Sequence, residues 1–361
     1  MQSLDEKTWL PSVVDEVFTT INSTKGKTTA QLVEGDDVPY IAAAKTNNGC
    51  AGVYSSKPYP EWVSDGNAIV FVQLGDGAAG LAHYVPMPFI GMSGKTSCGY
   101  FQSLNKDNGI FIARCLSANK AFFSHGHSWT GNRLKKTKFM LPVTDSGEPD
   151  YEYMAEYTRQ KRETMLDKYR KYVEAHIAEL GELVEIPTLD GKEWNHFRMP
   201  EIFGLIQRGK RLKNADHVPG IVPYVSSTAN NNGVDDYIEA TPGTRAFGDC
   251  ISLANSGSVG TAFYEPFEYV ASDHVTALKT EGMSKYVYLF LTSTIEKQDS
   301  NFNFNREIND ARIKNMQIML PVTDSGEPDY AYMEQYAKNM MLRKYQQYLE
   351  FINRQNVAEV E

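Results

Sequence analysis

The sequence predicts an α+β fold: two tandem globular modules, each followed by a long helix, with the two helices pairing as an antiparallel coiled coil about a pseudo-twofold axis. Three observations lead there. Twelve consecutive residues, Met140 to Tyr151, recur unchanged as Met319 to Tyr330 at an offset of 179. Chance does not duplicate such a stretch, so one half of the chain is a copy of the other. Ahead of each copy, short β-branched and aromatic runs alternate with clusters of Gly, Asn, Ser and Pro, the pattern of strands and turns. After each copy, a run of about thirty residues free of Pro and Gly carries apolar residues at helical spacing.

Taken in order, the first module spans 1–143. It holds a strand-like run from Ala68 to Leu74 and the series Val38-Pro39-Tyr40-Ile41, Asn47-Asn48-Gly49 and Gly77-x-x-Gly80-x-Ala82-x-Tyr84. The central segment, 144–184, opens with Pro149, suited to a first helical position. Asp150 and Glu152 place negative charge at the positive end of the helix dipole, and Asp145 and Ser146 are available as caps. A helix is expected from Asp150 to Leu180, with Gly181 ending it. The second module, 185–322, repeats the series in the same order as Val222-Pro223-Tyr224-Val225, Asn231-Asn232-Gly233 and Gly257-x-x-Gly260-x-Ala262-x-Tyr264; its strand-like runs are Ile221 to Val225 and Tyr286 to Leu291. The last segment, 323–361, repeats the helix from Asp329 to about Asn356.

A one-sided apolar stripe on so long a helix needs a partner, and the twin helix supplies one. The expected helix-pair positions are Met154, Tyr157, Leu166, Tyr169 and Val173 in one helix and Met333, Tyr336, Leu342, Tyr345 and Leu349 in the other. The stretch Met165-Leu-x-Lys-Tyr-x-x-Tyr172 matches Met341-Leu-x-Lys-Tyr-x-x-Tyr348 at an offset of 176, so the first helix has three extra residues after Tyr157. These add about 4.5 Å and about 300° of rotation, so the two helices are not perfect equivalents.

Composition narrows the function. At 361 residues the chain is long enough for two modules with their own cores, and 42% hydrophobic with 22% charged residues is a globular balance. No run of about 18 apolar residues is present and the first residues lack the apolar core of a signal peptide, so a cytoplasmic location is expected. Four cysteines without a Cys-x-x-Cys pair indicate neither zinc nor a disulfide framework. Enzyme signatures fail one by one. Gly94-Lys95-Thr96 ends like a phosphate loop, but the earlier glycine would be Phe89. His125-Gly126-His127 lacks a third metal ligand at useful spacing. Pro149-Asp150 and Pro328-Asp329 sit at helix starts, where acids serve the dipole, and no Asn-Pro-Pro-Tyr or Asp-Pro-Pro-Tyr stretch of an adenine methyltransferase occurs. No catalytic residue and no metal site are expected.

The order of globule, Leu-Pro-Val-x-x-x-Gly-x-Pro-Asp-Tyr-x-Tyr-Met, long helix, then the same again resembles the DNA specificity (S) subunit of type I restriction-modification systems, or a closely related type II specificity subunit for bipartite targets. The second half carries the likeness closely in Trp194-x-x-Phe197, Ile202-Phe203, Gly220-Ile-Val-Pro-Tyr224-Val-Ser226, Gly233-Val-x-x-Tyr237 and Ser256-Gly-x-x-Gly260. The first half keeps Phe18, Val38-Pro-Tyr-Ile41 and Gly77-x-x-Gly80 but has Ala42-Ala-Ala-Lys45 where the second has Ser226-Ser-Thr-Ala229. The resemblance implies a protein without catalysis of its own. Its two target recognition domains would each read half of a split, asymmetric double-stranded DNA target, with paired helices fixing the gap. The implied partners are methyltransferase subunits, two of them, that bind S-adenosylmethionine and methylate adenine, and restriction subunits that use ATP; this chain itself would hold no cofactor.

The residues must then supply phosphate and base contacts. Net charge is −9, and only residues 1–138 are net positive, with 13 basic and 11 acidic side chains; residues 182–318 have 13 and 18. Any DNA site is therefore a local patch. For phosphates, the cations just before each long helix are the candidates: Arg133, Lys135 and Lys136 beside Ser128, and Arg306, Arg312 and Lys314. For bases, the polar loops after Pro-Tyr stand out, with Lys45, Thr46, Asn47 and Asn48 in one half and Ser226, Ser227, Asn230, Asn231 and Asn232 in the other. Asn can pair twice with adenine and Lys can donate to guanine, although Asn-rich stretches also simply turn the chain. The competing reading is a repeat-built scaffold that recruits enzymes without touching DNA, suggested by the acidic balance and the Met and Tyr faces of the helices.

Overall fold

The computed structural model describes residues 2–75, 77–124, 126–297 and 307–358, with side chains to Arg354. The chain divides into two compact units, Met1–Tyr169 and Arg170–Glu361. The first unit contains β1 (Trp9–Val13), α1 (Val14–Val17), β2 (Thr20–Ser23), β3 (Glu34–Ile41), β4 (Cys50–Tyr54), β5 (Val63–Ser64), β6 (Ala68–Val72), β7 (Ala82–Val85), β8 (Phe89–Gly91), β9 (Thr96–Tyr100), α2 (Lys106–Ser117), α3 (Gly131–Lys135), β10 (Lys138–Pro142) and most of α4 (Tyr151–Leu180). The second contains β11 (Trp194–Arg198), α5 (Met199–Ile202), β12 (Leu205–Arg208), β13 (Pro219–Val225), β14 (Val234–Ile238), β15 (Ala246–Phe247), β16 (Cys250–Ala254), β17 (Ala262–Glu265), β18 (Tyr269–Ala271), β19 (Val275–Lys279), α6 (Lys285–Glu296), α7 (Asp310–Asn315), β20 (Gln317–Pro321) and α8 (Tyr330–Ala358).

The repeat extends to topology. Each unit has an antiparallel sheet, β2-β9-β6-β7 or β12-β19-β16-β17, and a mixed sheet, β4-β3-β8-β5 or β14-β13-β18-β15, in which β3 and β8, or β13 and β18, run parallel. Even the register shifts are shared, after Glu34 and Tyr40 in β3 and after Pro219 and Tyr224 in β13. The central strands β6 (Ala-Ile-Val-Phe-Val) and β16 (Cys-Ile-Ser-Leu-Ala) are buried along their whole length, as strands covered on both faces must be. The run Tyr286 to Leu291 lies inside helix α6 and not in a strand. Ser284 caps that helix by accepting from the Val287 N–H, and its apolar run is too short for sequence pattern to tell buried helix from buried strand.

The twelve-residue repeat is the joint between globule and helix, built twice with the same bonds. The Thr144 N–H donates to Glu148 O at 2.9 Å and the Asp150 N–H to Pro142 O at 2.9 Å; Thr323 to Glu327 and Asp329 to Pro321 match them at the same distances. Gly147 and Gly326 turn the chain at φ +85° and +84°, where a side chain would strain the backbone. The helix caps are Asp150 and Asp329 rather than Asp145 or Ser146. Asp150 Oδ1 accepts from the Tyr153 N–H at 3.0 Å and Asp329 Oδ1 from the Tyr332 N–H at 2.9 Å. Their other oxygens pair with Lys7 at 2.7 Å and Lys192 at 2.8 Å.

The main core of the first unit gathers Phe18, Phe71, Ile112, Leu116, Trp129 and Leu141, and that of the second gathers Phe203, Ile251, Leu278, Tyr288, Leu291 and Leu320. Met154 and Met333 are buried in these cores, with Tyr157 and Tyr336 packed against them. Tyr157 stands edge-on to Phe111 and Tyr336 to Phe290, each at 5.6 Å and 88°. This corrects the expected helix-pair set: these four residues fasten each helix to its own globule. In the second unit, the end of α4 meets α8. Tyr172 stands edge-on to Tyr345 at 6.4 Å, and His176 lies 6.0 Å from the same ring. Asn339 Nδ2 donates to Val184 O at 2.7 Å. Val173, Leu342 and Ile352 are buried, while Leu166, Tyr169, Tyr345 and Leu349 are half-buried.

Candidate nucleic-acid interface

The loops after β3 and β13 are built by backbone that only Asn and Gly adopt readily. Asn47, Asn48 and Gly49 have φ of 54°, 51° and 77°, and Asn231, Asn232 and Gly233 have 51°, 52° and 79°. Three consecutive left-handed residues reverse the chain, closed by Gly49 N–H to Thr46 O and Gly233 N–H to Asn230 O, both at 2.9 Å. Lys45, Thr46, Asn47 and Asn48 are exposed, as are Asn230, Asn231 and Asn232; Ser226 and Ser227 are half-buried.

The Asn48 amide is engaged within the fold. Its Nδ2 donates to Tyr84 O at 2.9 Å and its Oδ1 meets His83 Nδ1 at 3.1 Å. His83 is only 7% exposed, and burial holds its pKa below the usual value against a smaller opposing effect of the Ala44 carbonyl, so the ring is neutral at pH 7. The equivalent of His83 in the second unit is Phe263, which packs beneath Gly233.

Each loop rests on the glycine turn that joins β6 to β7 or β16 to β17. A Cβ at Gly77 would lie 2.3 Å from Lys45 Nζ, and one at Gly257 would lie 2.7 Å from Ser227 Oγ. The Ser258 N–H donates to Ser227 O at 3.0 Å. The glycines thus admit the loop above them, and their φ values of +64° and +65° lie in the left-handed region that favours Gly. Gly80 abuts Phe123, which joins Phe122, His127, Asn119, Asn132, Arg133, Lys136 and Lys138 around a cavity of about 430 Å³. Through Gly80 and Phe123, the glycine turn under the first loop adjoins the cavity lined by Arg133 and Lys136.

Several of the cations also serve the fold. Arg133 Nη1 donates to Ser128 O and Arg312 Nη1 to Glu307 O, each at 2.5 Å, tying the same loop in both units. Lys135 pairs with Asp15 at 3.0 Å and does not line the cavity. Ser128 Oγ lies 3.3 Å from Thr130 Oγ1, and Lys314 is exposed. Arg306 and His125 fall outside the described residues. Among the described residues no group of three His, Cys, Asp or Glu side chains could hold a metal, and no helix is long and apolar enough to cross a membrane. Sequence reasoning missed Lys7 and Lys192, whose signal was a repeat at a different offset: each stands two residues before a tryptophan, Trp9 or Trp194, that donates to the carbonyl of Leu4 or Leu189 at 2.9 Å. Arg114 and His83, which lie beside the first loop, carry no repeated signal because the other unit has Ser293 and Phe263 at their places, whereas Lys106 recurs as Lys285.

Comparison with known proteins agrees with this doubled plan. The sequence profile of the type I restriction modification DNA specificity domain matches the chain twice, over residues 6–168 and 191–350. Specificity subunit S.BcgI of the type II restriction enzyme BgcI, from Heyndrickxia coagulans, is 31% identical over 239 residues, covering 66% of this chain and 67% of that protein. The crystal structure of the S subunit of a type I restriction-modification system from M. genitalium superposes with a TM-score of 0.51 at 15% identity, covering 99% of this chain and 96% of that one; it is similar in fold.

Proposed function

Because the chain belongs to the family of type I restriction-modification DNA specificity domains, we propose that its two modules read the two separated halves of an asymmetric duplex target while partner subunits carry out catalysis. As a specificity subunit it selects DNA sequence and is not itself an enzyme. Lys45, Thr46 and Asn47 on one loop, and Ser226, Ser227, Asn230, Asn231 and Asn232 on the other, form the proposed reading rims. Asn48 and Asn232 shape the turns, and Ser128, Arg133, Lys136, Arg312 and Lys314 flank them on the phosphate side. The observation that carries the reading is the shared placement of these loops over the glycine turns in both units, combined with different side chains leading into the common Asn-Asn-Gly turn, Ala42-Ala-Ala-Lys-Thr46 in one and Ser226-Ser-Thr-Ala-Asn230 in the other. A common turn with unlike side chains leading into it suits unlike half-sites.

The module boundaries proposed are 1–143, 144–184, 185–322 and 323–361, with α4 and α8 pairing to set the gap between half-sites; helices of about 30 residues extend about 45 Å, somewhat more than one DNA turn. The proposed partners are two methyltransferase subunits that bind S-adenosylmethionine and restriction subunits that use ATP, in the cytoplasm. A titration of the chain assembled with its methyltransferase against duplex DNA, repeated across salt, tests this reading. Phosphate engagement gives a steep fall of log K with log salt, whereas the scaffold alternative gives a flat response.

A further inference from the structure

A second cavity in the first unit, of about 490 Å³, opens beside the reading loop. Lys45, Asn48 and His83 form one wall; Lys106 and Arg114 on α2 form the other, with Ile110 and Ala113 as an apolar floor. No carboxylate lines it among the described residues, and neither Lys45 nor Arg114 has an ion-pair partner among them. His83 is neutral, so the charge on which the groove draws is that of Lys45 and Arg114. Such a groove, lined by no acid among the described residues of an acidic protein, fits a polyanion.

The second unit has the same frame without the charge. The Ala82 N–H bonds Ser117 Oγ at 2.9 Å, and the Ala262 N–H bonds Glu296 Oε1 at 3.4 Å, which aligns Ser117 with Glu296 and hence Arg114 with Ser293. Ala229 stands at the place of Lys45, and Lys285, at the place of Lys106, pairs with Glu179 at 2.8 Å. An arginine, a lysine and a serine are thus replaced by a serine, an alanine and a glutamate.

Resting on the reading of the chain as a DNA specificity subunit, we infer that the groove between Lys45 and Arg114 seats the phosphate backbone of duplex DNA, so that the first module supplies more of the salt-sensitive grip than the second. Lys45 thereby moves from the base-reading rim to the phosphate contacts, beside the bases that Thr46 and Asn47 face. Each neutralised phosphate contributes about 0.9 to the slope of log K against log salt.

The test uses the full chain assembled with its methyltransferase and two probes: a duplex bearing the target read from methylated genomic DNA, and a duplex of mixed sequence. Lys45→Ala with Arg114→Ala should lower the salt slope by about 2 on both probes. Both residues are exposed, so the fold survives, which a thermal melt verifies. The charge-preserving pair Lys45→Arg with Arg114→Lys should keep the slope. The pair Lys25→Ala with Lys57→Ala, exposed lysines that do not line the groove, should leave the slope near that of the unaltered protein. An unchanged slope in the first variant, an equal drop in the Lys25 and Lys57 variant, or a loss confined to the target duplex overturns the groove. If the unaltered assembly shows no salt-dependent binding to either probe, the DNA reading itself fails first.

Discussion

At the scale of residues, the two halves differ where burial makes the difference costly. Glu265, only 1% exposed at the end of β17, accepts from Ser252 Oγ at 2.9 Å. Its carboxyl is pushed up to about 7 by burial, with the Ser252 hydrogen bond pulling the other way. Because the folded value lies above the ordinary 4.5, the folded state holds the proton more tightly than the unfolded one. The contribution of this group to stability is therefore full below pH 4.5 and falls as pH climbs from there to about 7, by about 3 kcal/mol in all. Glu265→Gln should raise the melting temperature at pH 8 and give no gain at pH 4. An equal gain at both values would show that ionisation of this group is not what costs stability. The first unit has Val85 at the matching place and should lack this pH dependence.

At the scale of elements, the sequence made the long helices legible because their apolar spacing persists for eight turns, and the joints because they are duplicated letter for letter. It left open what the helices pack against. A stripe at helical spacing looks the same whether it faces a globule or another helix, which is why Met154, Tyr157, Met333 and Tyr336 were expected at a helix pair and lie in or against globular cores. Strand pairing was equally hidden: β3 and β8 are parallel neighbours separated by some fifty residues, and no local pattern encodes that contact. The candidate loops are legible as polar stretches after Pro-Tyr, yet the bonds that fix Asn48 come from His83 and Tyr84, far along the chain. Within the second unit, the Tyr172–Tyr345 contact ties α4 to α8. A double-mutant cycle on Tyr172→Ala and Tyr345→Ala, read by thermal unfolding, should return a coupling of about 0.5–1.5 kcal/mol. Strict additivity would mean that the rings touch without holding the helices together.

At the scale of the molecule, duplication explains what one module does not. A single globule on a helix would read one short site, and the copy allows a second site with its own specificity. The three extra residues in α4 after Tyr157 are compatible with this, since half-sites of different sequence place no demand for exact symmetry on the rods. The charge map points the same way: residues 1–138 are net positive and residues 182–318 net negative, so the two modules share a frame but not an electrostatic task. The central claim is that each module chooses its own half of the target. Methylation-sensitive sequencing of DNA from cells carrying the complete system, first with this chain and then with residues 1–143 exchanged for the first module of another specificity subunit, tests it most directly. The account predicts an asymmetric split motif of which the exchange rewrites one half and spares the other; a motif that changes in both halves, or one without a gap, would contradict it.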